Sequence, residues 1–366
     1  MKISYTIPTL DAGGMERQLL YLVKSLCNDY SIQIIVYSDY IFYKEFYELP
    51  IDLVIINSTE QKLKLFSWTY KALKKFKPDI IHNFRYNTHL YTLPYAWING
   101  AKIINGSIRW GGKLIKTKTR NIIEKLCYIF SDIIISNSKQ GLIVENLTLS
   151  NKTFTVHNGF NISYYDNNVG ELAPDLLNKM NQFKFKVVMV GRFASSKDYI
   201  TYIKAAKLVL AETDQIGFFC VGDGENRNFA EQESSKWLNK NIYFLGKLSG
   251  IQEILHYFNV GVLLNNTNGH AEGISNSIME YMAAELPVIA TNTGGTPELV
   301  KNCLSGFLVP AFNEIIVADK IKFLYDNPYQ NKKMGQNGRE IILKEFNIEK
   351  MSLAYQNIYK KLSKKY

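Results

Sequence analysis

Short apolar runs of strand length alternate with helical segments along this chain, and the alternation occurs twice. The first series comprises ISYTIP, IQIIVYS, DLVII, DIIHN, KIING and DIIISN; the second comprises KVVMVG, IGFFCVG, IYFLG, VGVLL, LPVIA and GFLVP. Continuous apolar strands separated by helices indicate parallel sheets that are covered on both faces. The sequence therefore predicts an α/β protein with two doubly wound, Rossmann-like domains and a central cleft between them. Ligands are expected beyond the carboxyl ends of the strands.

The length of 366 residues suits two such domains. We predict an N-terminal domain at residues 1–165, a linker at 166–184 and a C-terminal domain at 185–347. The linker is placed there because the segment lacks a clean apolar period. Residues 348–366 are expected to form a helix that docks through one apolar face. That face carries Met351, Ala354, Tyr355, Ile358 and Leu362.

The four cysteines are scattered without a CxxC spacing, which indicates neither a disulfide framework nor a zinc site. No run approaches the ~18 apolar residues of a spanning helix. The N-terminus reaches Asp11 before a signal-peptide core could form. We therefore expect a cytoplasmic protein, or one that is peripheral on the inner face of the cell membrane.

The net charge is +10, and cationic residues cluster twice in the first half of the chain, among apolar and aromatic ones. Two interpretations are open: solvated helix faces, or an amphipathic surface that contacts anionic lipid headgroups. Nucleic acid is not expected as a partner, because no known binding motif accompanies the charge. The clusters are Lys62, Lys64, Lys71, Lys74, Lys75 and Lys77, and then Lys113, Lys116, Lys118, Arg120 and Lys125.

Residues 269–295 read as a polar loop, a helix, a buried strand and a Gly-rich loop. Eight helical steps would place Glu272 and Glu280 on different faces, so we expect Glu272 in the loop and Glu280 in the helix if both serve one ligand. Carboxylates accept strong hydrogen bonds from sugar hydroxyls. Between them a capped helix N-terminus would favour an anion. Its residues are Gly273, Ser275, Asn276 and Ser277.

Two further loops follow predicted strands. Arg192 and Lys197 lie on a strand-to-helix loop and can converge on a diphosphate, although an isolated pair of this kind is commonly just surface charge. Gly222 ends the next strand, where it either lines a nucleotide or serves a structural turn.

No metal is expected, since the five histidines show no HExxH spacing and the chain contains no DxD motif. His82 ends a strand and so would face the cleft, with a structural histidine as the alternative. No Ser-His-Asp arrangement can be argued from the spacing.

Taken in order, these motifs resemble retaining glycosyltransferase family 4, which has the GT-B fold. The C-terminal half matches in VGRFASSKD, FFCVGDGENRNF, EGISNSIMEYMAAELPVIATNTGGTPELV and GFLV. The N-terminal half matches in LDAGGMERQLLYL, KPDIIHN, SDIIISNSKQ and VHNGFN. The resemblance implies that the terminal helix packs back on the N-terminal domain.

The resemblance also implies roles for individual residues. Arg192 and Lys197 would bind the donor diphosphate and stabilise the leaving nucleoside diphosphate. Glu272 would contact hydroxyls of the donor sugar, and Glu280 would contact the ribose. The catalytic set is thus Glu272, Arg192 and Lys197. The remaining donor-binding positions are Gly14, Gly191, Gly222, Gly273, Ile274 and Ser275.

Three features depart from the family pattern. Asp198 stands where glycine often follows the lysine; it suits the helix dipole but adds negative charge near the phosphates. Phe84 replaces the second histidine of a His-x-His motif. The usual histidine after KIING is missing, and Arg109 is the nearest charged replacement. The acceptor-side candidates are therefore His82, Ser107 and Arg109.

The resemblance implies a retaining, metal-independent hexosyltransferase without a cofactor. It would transfer a sugar from a nucleoside-diphosphate sugar, expected to be UDP-linked, to an acceptor hydroxyl. The acceptor would be a saccharide or lipid-linked saccharide in cell-surface polysaccharide or lipid-linked oligosaccharide biosynthesis. The alternatives are a non-hydrolysing UDP-sugar epimerase, which should need more acid/base groups, and a non-catalytic sugar-nucleotide-binding protein.

Overall fold

The structure is a computed structural model that describes residues 1–56, 62–112, 116–148, 150–163, 165, 170–248, 250–268 and 271–363, without the side chains of residues 62 and 63. The chain divides into two compact units. Unit 1 comprises Met1–Arg109, Ile115–Gly159 and Phe346–Tyr366. Unit 2 comprises Trp110–Leu114 and Phe160–Glu345.

The strands and helices follow the predicted alternation. The strands are β1 (Lys2–Ile7), β2 (Ser31–Val36), β3 (Asp52–Ile55), β4 (Ile80–Asn83), β5 (Lys102–Ile108), β6 (Ile133–Ser136), β7 (Thr153–Thr155), β8 (Phe185–Val190), β9 (Ile216–Val221), β10 (Ile242–Gly246), β11 (Val260–Leu263), β12 (Val288–Thr291) and β13 (Gly306–Val309). The helices are α1 (Gly14–Leu26), α2 (Lys62–Phe76), α3 (Tyr86–Asn99), α4 (Lys118–Ile129), α5 (Lys139–Val144), α6 (Pro174–Asn181), α7 (Tyr199–Leu210), α8 (Arg227–Glu233), α9 (Ile251–Ile254), α10 (Asn276–Ala283), α11 (Thr296–Leu299), α12 (Glu314–Asp326), α13 (Pro328–Glu345) and α14 (Ile348–Ser363).

Unit 1 holds a seven-stranded sheet in the order β3-β2-β1-β4-β5-β6-β7 among its described residues, and every pairing is parallel. Strands β1, β2, β4 and β6 are almost entirely buried, as expected for apolar strands covered on both faces. Helices α1 and α14 pack together on one side of the core. Helices α2, α3 and α4 pack against one another in series and form a separate layer.

Helix α14 belongs to unit 1, which confirms that the terminal helix packs on the N-terminal domain. The predicted apolar face is the buried one, with Ala354 at its partly buried edge. The hydroxyl of Tyr359, on the same helix, lies 3.0 Å from the Tyr5 hydroxyl and 3.0 Å from Nδ1 of His82. All three side chains are fully buried, so each needs this polar contact.

The described residues of unit 2 form a six-stranded parallel sheet in the order β10-β9-β8-β11-β12-β13. Its order reverses between β8 and β11, so the loops after these strands diverge at the carboxyl edge and leave room for a ligand. The two parallel, doubly wound sheets confirm the predicted fold class.

The segment predicted as a linker, 166–184, differs from that description where it is described. Residues 174–181 form α6, which begins with Pro174 in the first turn, where a missing N–H costs nothing. Met180 is buried, and the ring of Phe183 packs edge-on against Phe219 and Tyr243. This part of the segment is therefore anchored to unit 2.

No helix in the described part of the chain is long and apolar enough to cross a membrane.

The Tyr359→Phe substitution should destabilise unit 1. It removes one hydroxyl that serves both Tyr5 and His82, and an unpaired buried polar group costs about 1–3 kcal/mol. Urea unfolding followed by circular dichroism measures the loss. The exposed Tyr329 provides the control, since Tyr329→Phe should change stability by less than about 0.5 kcal/mol. Equal stability of the two variants would contradict this role of Tyr359.

Candidate functional site

The loops at the carboxyl edge of the unit 2 sheet are joined by backbone hydrogen bonds. The N–H of Gly191 donates to Val221 O at 2.9 Å, and the N–H of Phe193 donates to Asp223 O at 3.0 Å. Gly222 has φ +133°, and a Cβ there would collide with the carbonyl oxygen of Gly191. Gly222 is therefore required by the close approach of two loops, which is the structural one of its two predicted roles.

Lys197 and Glu272 form an ion pair in unit 2, although they are 75 residues apart in the sequence. Lys197 Nζ donates to Glu272 Oε1 at 2.6 Å and to Asn265 Oδ1 at 3.0 Å. The lysine side chain is 10% exposed and the glutamate side chain 39%. Charge-assisted hydrogen bonds of this kind are strong and directional. Asn265 is a site residue that the sequence analysis missed, because nothing distinguishes it from other polar residues after a strand.

The local environment of Glu272 acts on its pKa in opposite directions. Burial raises the pKa, but the charge of Lys197 and hydrogen bonding from Lys197 and Ser275 lower it, and the net shift is downward. Glu272 is thus kept as an acceptor-only carboxylate. Its second oxygen, Oε2, is enclosed and has no hydrogen-bond partner among the described residues.

Arg192 lies on the same loop as Lys197 but in a different environment. Its side chain is exposed, and within the described ranges it forms no ion pair. Its backbone carbonyl accepts from the N–H of Ala194 at 2.8 Å, which tightens the turn. The structure therefore places one paired and one exposed cation on this loop.

Asp198 does not direct its charge toward this loop. Its carboxylate caps α7, accepting from the N–H of Thr201 at 3.0 Å and from the Thr201 hydroxyl at 2.6 Å. The residue is buried, and its own N–H donates to Leu264 O at 2.9 Å. The acid that departs from the family pattern is thus a helix cap.

Glu272 precedes α10 and Glu280 lies within it, as expected. Ser275 occupies the N-cap position with φ −86° and ψ 126°, but its side chain makes no capping hydrogen bond. The predicted side-chain cap is therefore wrong; the Ser275 hydroxyl acts on Glu272 instead. Gly273 and Ile274 are buried between Glu272 and the helix.

Glu280 is buried in α10, and Gln252 Nε2 donates to its Oε1 at 3.3 Å. Gln252 belongs to the short helix α9. In this contact the donor to the Glu280 carboxylate is a neutral amide.

The Trp110–Gly112 segment belongs to unit 2 and contacts the Glu272 loop, which the sequence did not indicate. Trp110 forms an isolated antiparallel bridge with Glu272, and the N–H of Gly111 donates to Ala271 O at 2.9 Å. A Cβ on Gly111 would lie 2.5 Å from Gly294 Cα and 2.6 Å from Glu272 O. The consecutive glycines after Trp110 were the available signal.

The Gly-rich loop after β12 also holds the Glu272 main chain, at the same carbonyl that Gly111 adjoins. The N–H of Gly295 donates to Glu272 O at 2.9 Å. Gly294 has φ +57° and would collide with the same carbonyl if it carried a Cβ. Two glycine segments thus fix the backbone of the candidate catalytic carboxylate.

The acceptor-side candidates lie in unit 1. His82 is completely buried, which contradicts the expectation that it faces an open site. Its ring stacks on Phe84 with centroids 4.8 Å apart, and its Nδ1 lies 3.0 Å from the Tyr359 hydroxyl. Burial, with a smaller contribution from the charge of Arg109, lowers the pKa of His82 to about 3. It is a neutral core histidine at physiological pH.

Ser107 and Arg109 follow in β5 and just after it. Ser107 is buried, and its hydroxyl has no hydrogen-bond partner among the described residues. Arg109 is half-buried; its guanidinium carbon lies 4.8 Å from the Phe84 ring centroid, and Nη1 donates to Asn158 Oδ1 at 3.4 Å. Phe84 and Arg109, two residues that depart from the family pattern, therefore contact each other.

Gly14 begins α1, after Gly13 in the N-cap position. Glu16, two residues into the helix, is buried and accepts from the Thr9 hydroxyl at 3.3 Å. Burial raises the pKa of Glu16 above its usual value. This acid was missed because a glutamate in the first helical turn is common.

Within the described ranges, no group of three or more His, Cys, Asp and Glu residues is arranged to hold a metal ion. Lys113, His270 and Gly269 lie outside those ranges.

The family model and the relatives that this chain resembles are described as glycosyltransferases. Residues 178–341 match the family model described as glycosyl transferases group 1. The capsular polysaccharide biosynthesis glycosyltransferase CapM of Staphylococcus aureus is 28% identical over 249 residues, which are 65% of this chain and 64% of CapM, just under two thirds of its length. The UDP-Gal:alpha-D-GlcNAc-diphosphoundecaprenol alpha-1,3-galactosyltransferase of Escherichia coli is 28% identical over 79% of this chain and 77% of its own.

Among solved structures, Anabaena HepE in complex with UDP-glucose superposes with a TM-score of 0.83. The likeness covers 100% of both chains at 19% sequence identity, and it concerns the fold. The predicted GT-B fold is confirmed. Family 4 stays a prediction; residues 178–341 match the family model described as glycosyl transferases group 1.

Proposed function

We propose that this protein is a retaining glycosyltransferase that transfers a sugar from a UDP-sugar to an acceptor hydroxyl. The observation that carries the proposal is the Lys197–Glu272 pair with the exposed Arg192 on the same loop of unit 2. Two comparisons support the choice of donor: the E. coli relative is named for UDP-Gal, and HepE was crystallised with UDP-glucose.

The cations suit a diphosphate. An ammonium has three donors, and Lys197 uses two of them on Glu272 and Asn265. The third is available for a phosphate oxygen, while Arg192 offers a planar fork of donors. Charge that develops on the departing UDP would be stabilised by both residues and by the N-terminus of α10. The proposal therefore needs no metal or cofactor to neutralise the leaving group.

Glu272 suits the sugar. Its Oε1 is held by Lys197, and its Oε2 has no partner within the described chain. An enclosed carboxylate oxygen without a donor is a strong acceptor for a sugar hydroxyl. Glu280, on the next part of the same segment, is proposed to accept from the ribose. Retention of the anomeric configuration rests on the family resemblance.

The acceptor is proposed to be a saccharide or lipid-linked saccharide used in polysaccharide or lipid-linked oligosaccharide biosynthesis. The names of CapM and of the E. coli relative support this class. Arg109 remains an acceptor-side candidate in unit 1, whereas Ser107 and His82 are both buried, and the His82 ring is stacked on Phe84. A cytoplasmic location at the inner face of the membrane would suit a lipid-linked acceptor.

The Arg192→Ala substitution should weaken UDP binding by about 10- to 100-fold, because a charge-assisted hydrogen bond contributes about 1.5–3 kcal/mol. Isothermal titration calorimetry with UDP measures the affinity. The control is Lys332→Ala, which removes an exposed cation from α13 of the same unit and should leave the affinity unchanged. Wild-type affinity in the Arg192 variant would refute the donor-site assignment.

The Gly111→Ala substitution should reduce sugar transfer more than UDP affinity. The added Cβ would push against Glu272 O and Gly294 Cα, and a displacement of about 1 Å at a reacting group can cost about 100-fold in rate. UDP release from a panel of UDP-, GDP- and ADP-sugars, with and without saccharide acceptors, provides the assay.

The control for this substitution is Gly338→Ala, whose Cβ would meet Met282 Cγ at an ordinary 3.4 Å. Equal turnover of Gly111→Ala and wild type would show that the Trp110–Gly112 segment does not position Glu272. Conversion of the UDP-sugar to its epimer without an acceptor and without net release of UDP would instead favour the epimerase class.

A further inference from the structure

Helix α4 exposes apolar side chains where a helix of a globular domain normally exposes polar ones. Ile122 and Ile129 are 60% and 65% exposed, and Leu126 is exposed as well. Lys118 and Lys125 lie on the same solvent face at helical spacing. We call this set, together with the neighbouring end of α3, the apolar-cationic face.

The end of α3 continues the exposed apolar surface. Trp97 is 89% exposed and Ile98 70%, and with Phe130 they border a groove of about 430 Å³. The acid in the groove, Asp132, is satisfied by Lys102 at 3.6 Å and by the N–H of Ile103 at 2.8 Å. A contiguous exposed surface of this kind marks an interaction site.

The charges on this layer are almost all of one sign. The sequences of α2, α3 and α4 contain a single carboxylate, Glu124. It is 1% exposed and is paired with Lys116 at 2.6 Å and with Arg120 at 2.9 Å. The exposed cations are left without exposed acids on these helices. They are Lys71, Lys74, Lys75, Lys118 and Lys125.

Lys116 also pairs with Glu145 at 2.6 Å, and its side chain is only 10% exposed. It therefore cannot contribute to an external surface, in contrast to the lysine cluster that the sequence suggested. The useful cations are its neighbours on the solvent side of α4.

We propose that the apolar-cationic face docks on a lipid bilayer with anionic headgroups. The isoleucines and Leu126 would enter the headgroup boundary, Trp97 would lie at the interface, and the lysines would contact the anionic headgroups. A second copy of the chain is a poorer occupant, because a two-fold interface brings the same lysines of both copies together. The proposal goes beyond the transfer reaction and does not depend on the donor.

The test is co-sedimentation of the full chain with vesicles of phosphatidylcholine, with or without phosphatidylglycerol. We expect binding only to the anionic vesicles and weaker binding at high salt. The Lys118→Gln/Lys125→Gln variant should bind about 30-fold more weakly, from about 1 kcal/mol per lysine. The Ile122→Ser/Ile129→Ser variant should bind at least about 100-fold more weakly, since each inserted side chain contributes about 1.5–3 kcal/mol.

Matched controls come from unit 2. Lys332→Gln/Lys333→Gln removes two exposed cations, and Ile315→Ser removes an isoleucine that is 64% exposed. Both should bind as wild type does. The lysine changes are on the surface and leave the fold intact, so they test the proposal even if the isoleucine variant misfolds.

Equal vesicle binding by wild type, the α4 variants and the controls would overturn the proposal. So would a protein that is dimeric by analytical ultracentrifugation and becomes monomeric in the Ile122→Ser/Ile129→Ser variant without a change in vesicle binding. A donor site that failed to bind UDP would leave these vesicle measurements unaffected, so the two proposals can fail separately.

Discussion

The hydrogen bond from Lys197 to Glu272 organises the candidate site, because it joins side chains from two loops whose backbones are also hydrogen-bonded to each other, Asp198 N–H to Leu264 O and Asn266 N–H to Ser196 O. Parallel strands make this possible: β8 and β11 are adjacent, so the loops that follow them leave the sheet at the same edge. The lysine could neutralise an isolated anion, and the carboxylate could bind an isolated hydroxyl. Held together at 2.6 Å, they present a cation and an acceptor in one fixed arrangement. A sugar diphosphate needs both, and preorganisation of this kind lowers the cost of binding it.

Backbone contacts position Glu272 as much as its side-chain contact with Lys197 does. Glu272 O accepts from the N–H of Gly295, and Trp110 of the Trp110–Gly112 segment forms a bridge with the same residue. Such close contacts require residues without a Cβ, and Gly111 and Gly294 supply them. The carboxylate is thus positioned by glycines that have no chemistry of their own.

In unit 1, two departures from the family pattern compensate each other. Phe84 stands in place of a histidine and Arg109 stands where another is usual, and the guanidinium stacks on the ring at 4.8 Å. A guanidinium over an aromatic face is stabilised by the ring quadrupole. The His82 ring also stacks on Phe84, and its Nδ1 is paired with Tyr359 of α14. The terminal helix is therefore linked to Phe84 through His82.

The sequence predicted the fold because burial leaves a strong periodic signal: apolar strands and amphipathic helices are dictated by the same parallel sheets. It also predicted that Glu272 lies in a loop and Glu280 in a helix, because helical geometry allows few alternatives. Partner choice was beyond it. Ser275 looks like a cap but acts on Glu272, and Asp198 looks like a stray charge but caps α7. Each contact joins residues three apart in the chain, and which of the neighbouring donors and acceptors pair depends on the backbone conformation of the loop, which the sequence pattern leaves open.

The sequence pattern also does not show which lysines are paired inside the protein and which are exposed to solvent. Lys116 and Lys118 are two residues apart in one basic cluster, yet one is enclosed by Glu124 and Glu145 while the other faces solvent. Lys116 is paired with two carboxylates, so its charge is compensated inside the protein. An exposed lysine or arginine beside apolar groups keeps its charge for an external anion. Net charge alone therefore says little about partners; what matters is which cations remain uncompensated, and in this protein they include Arg192 in unit 2 and the solvent face of α4 in unit 1.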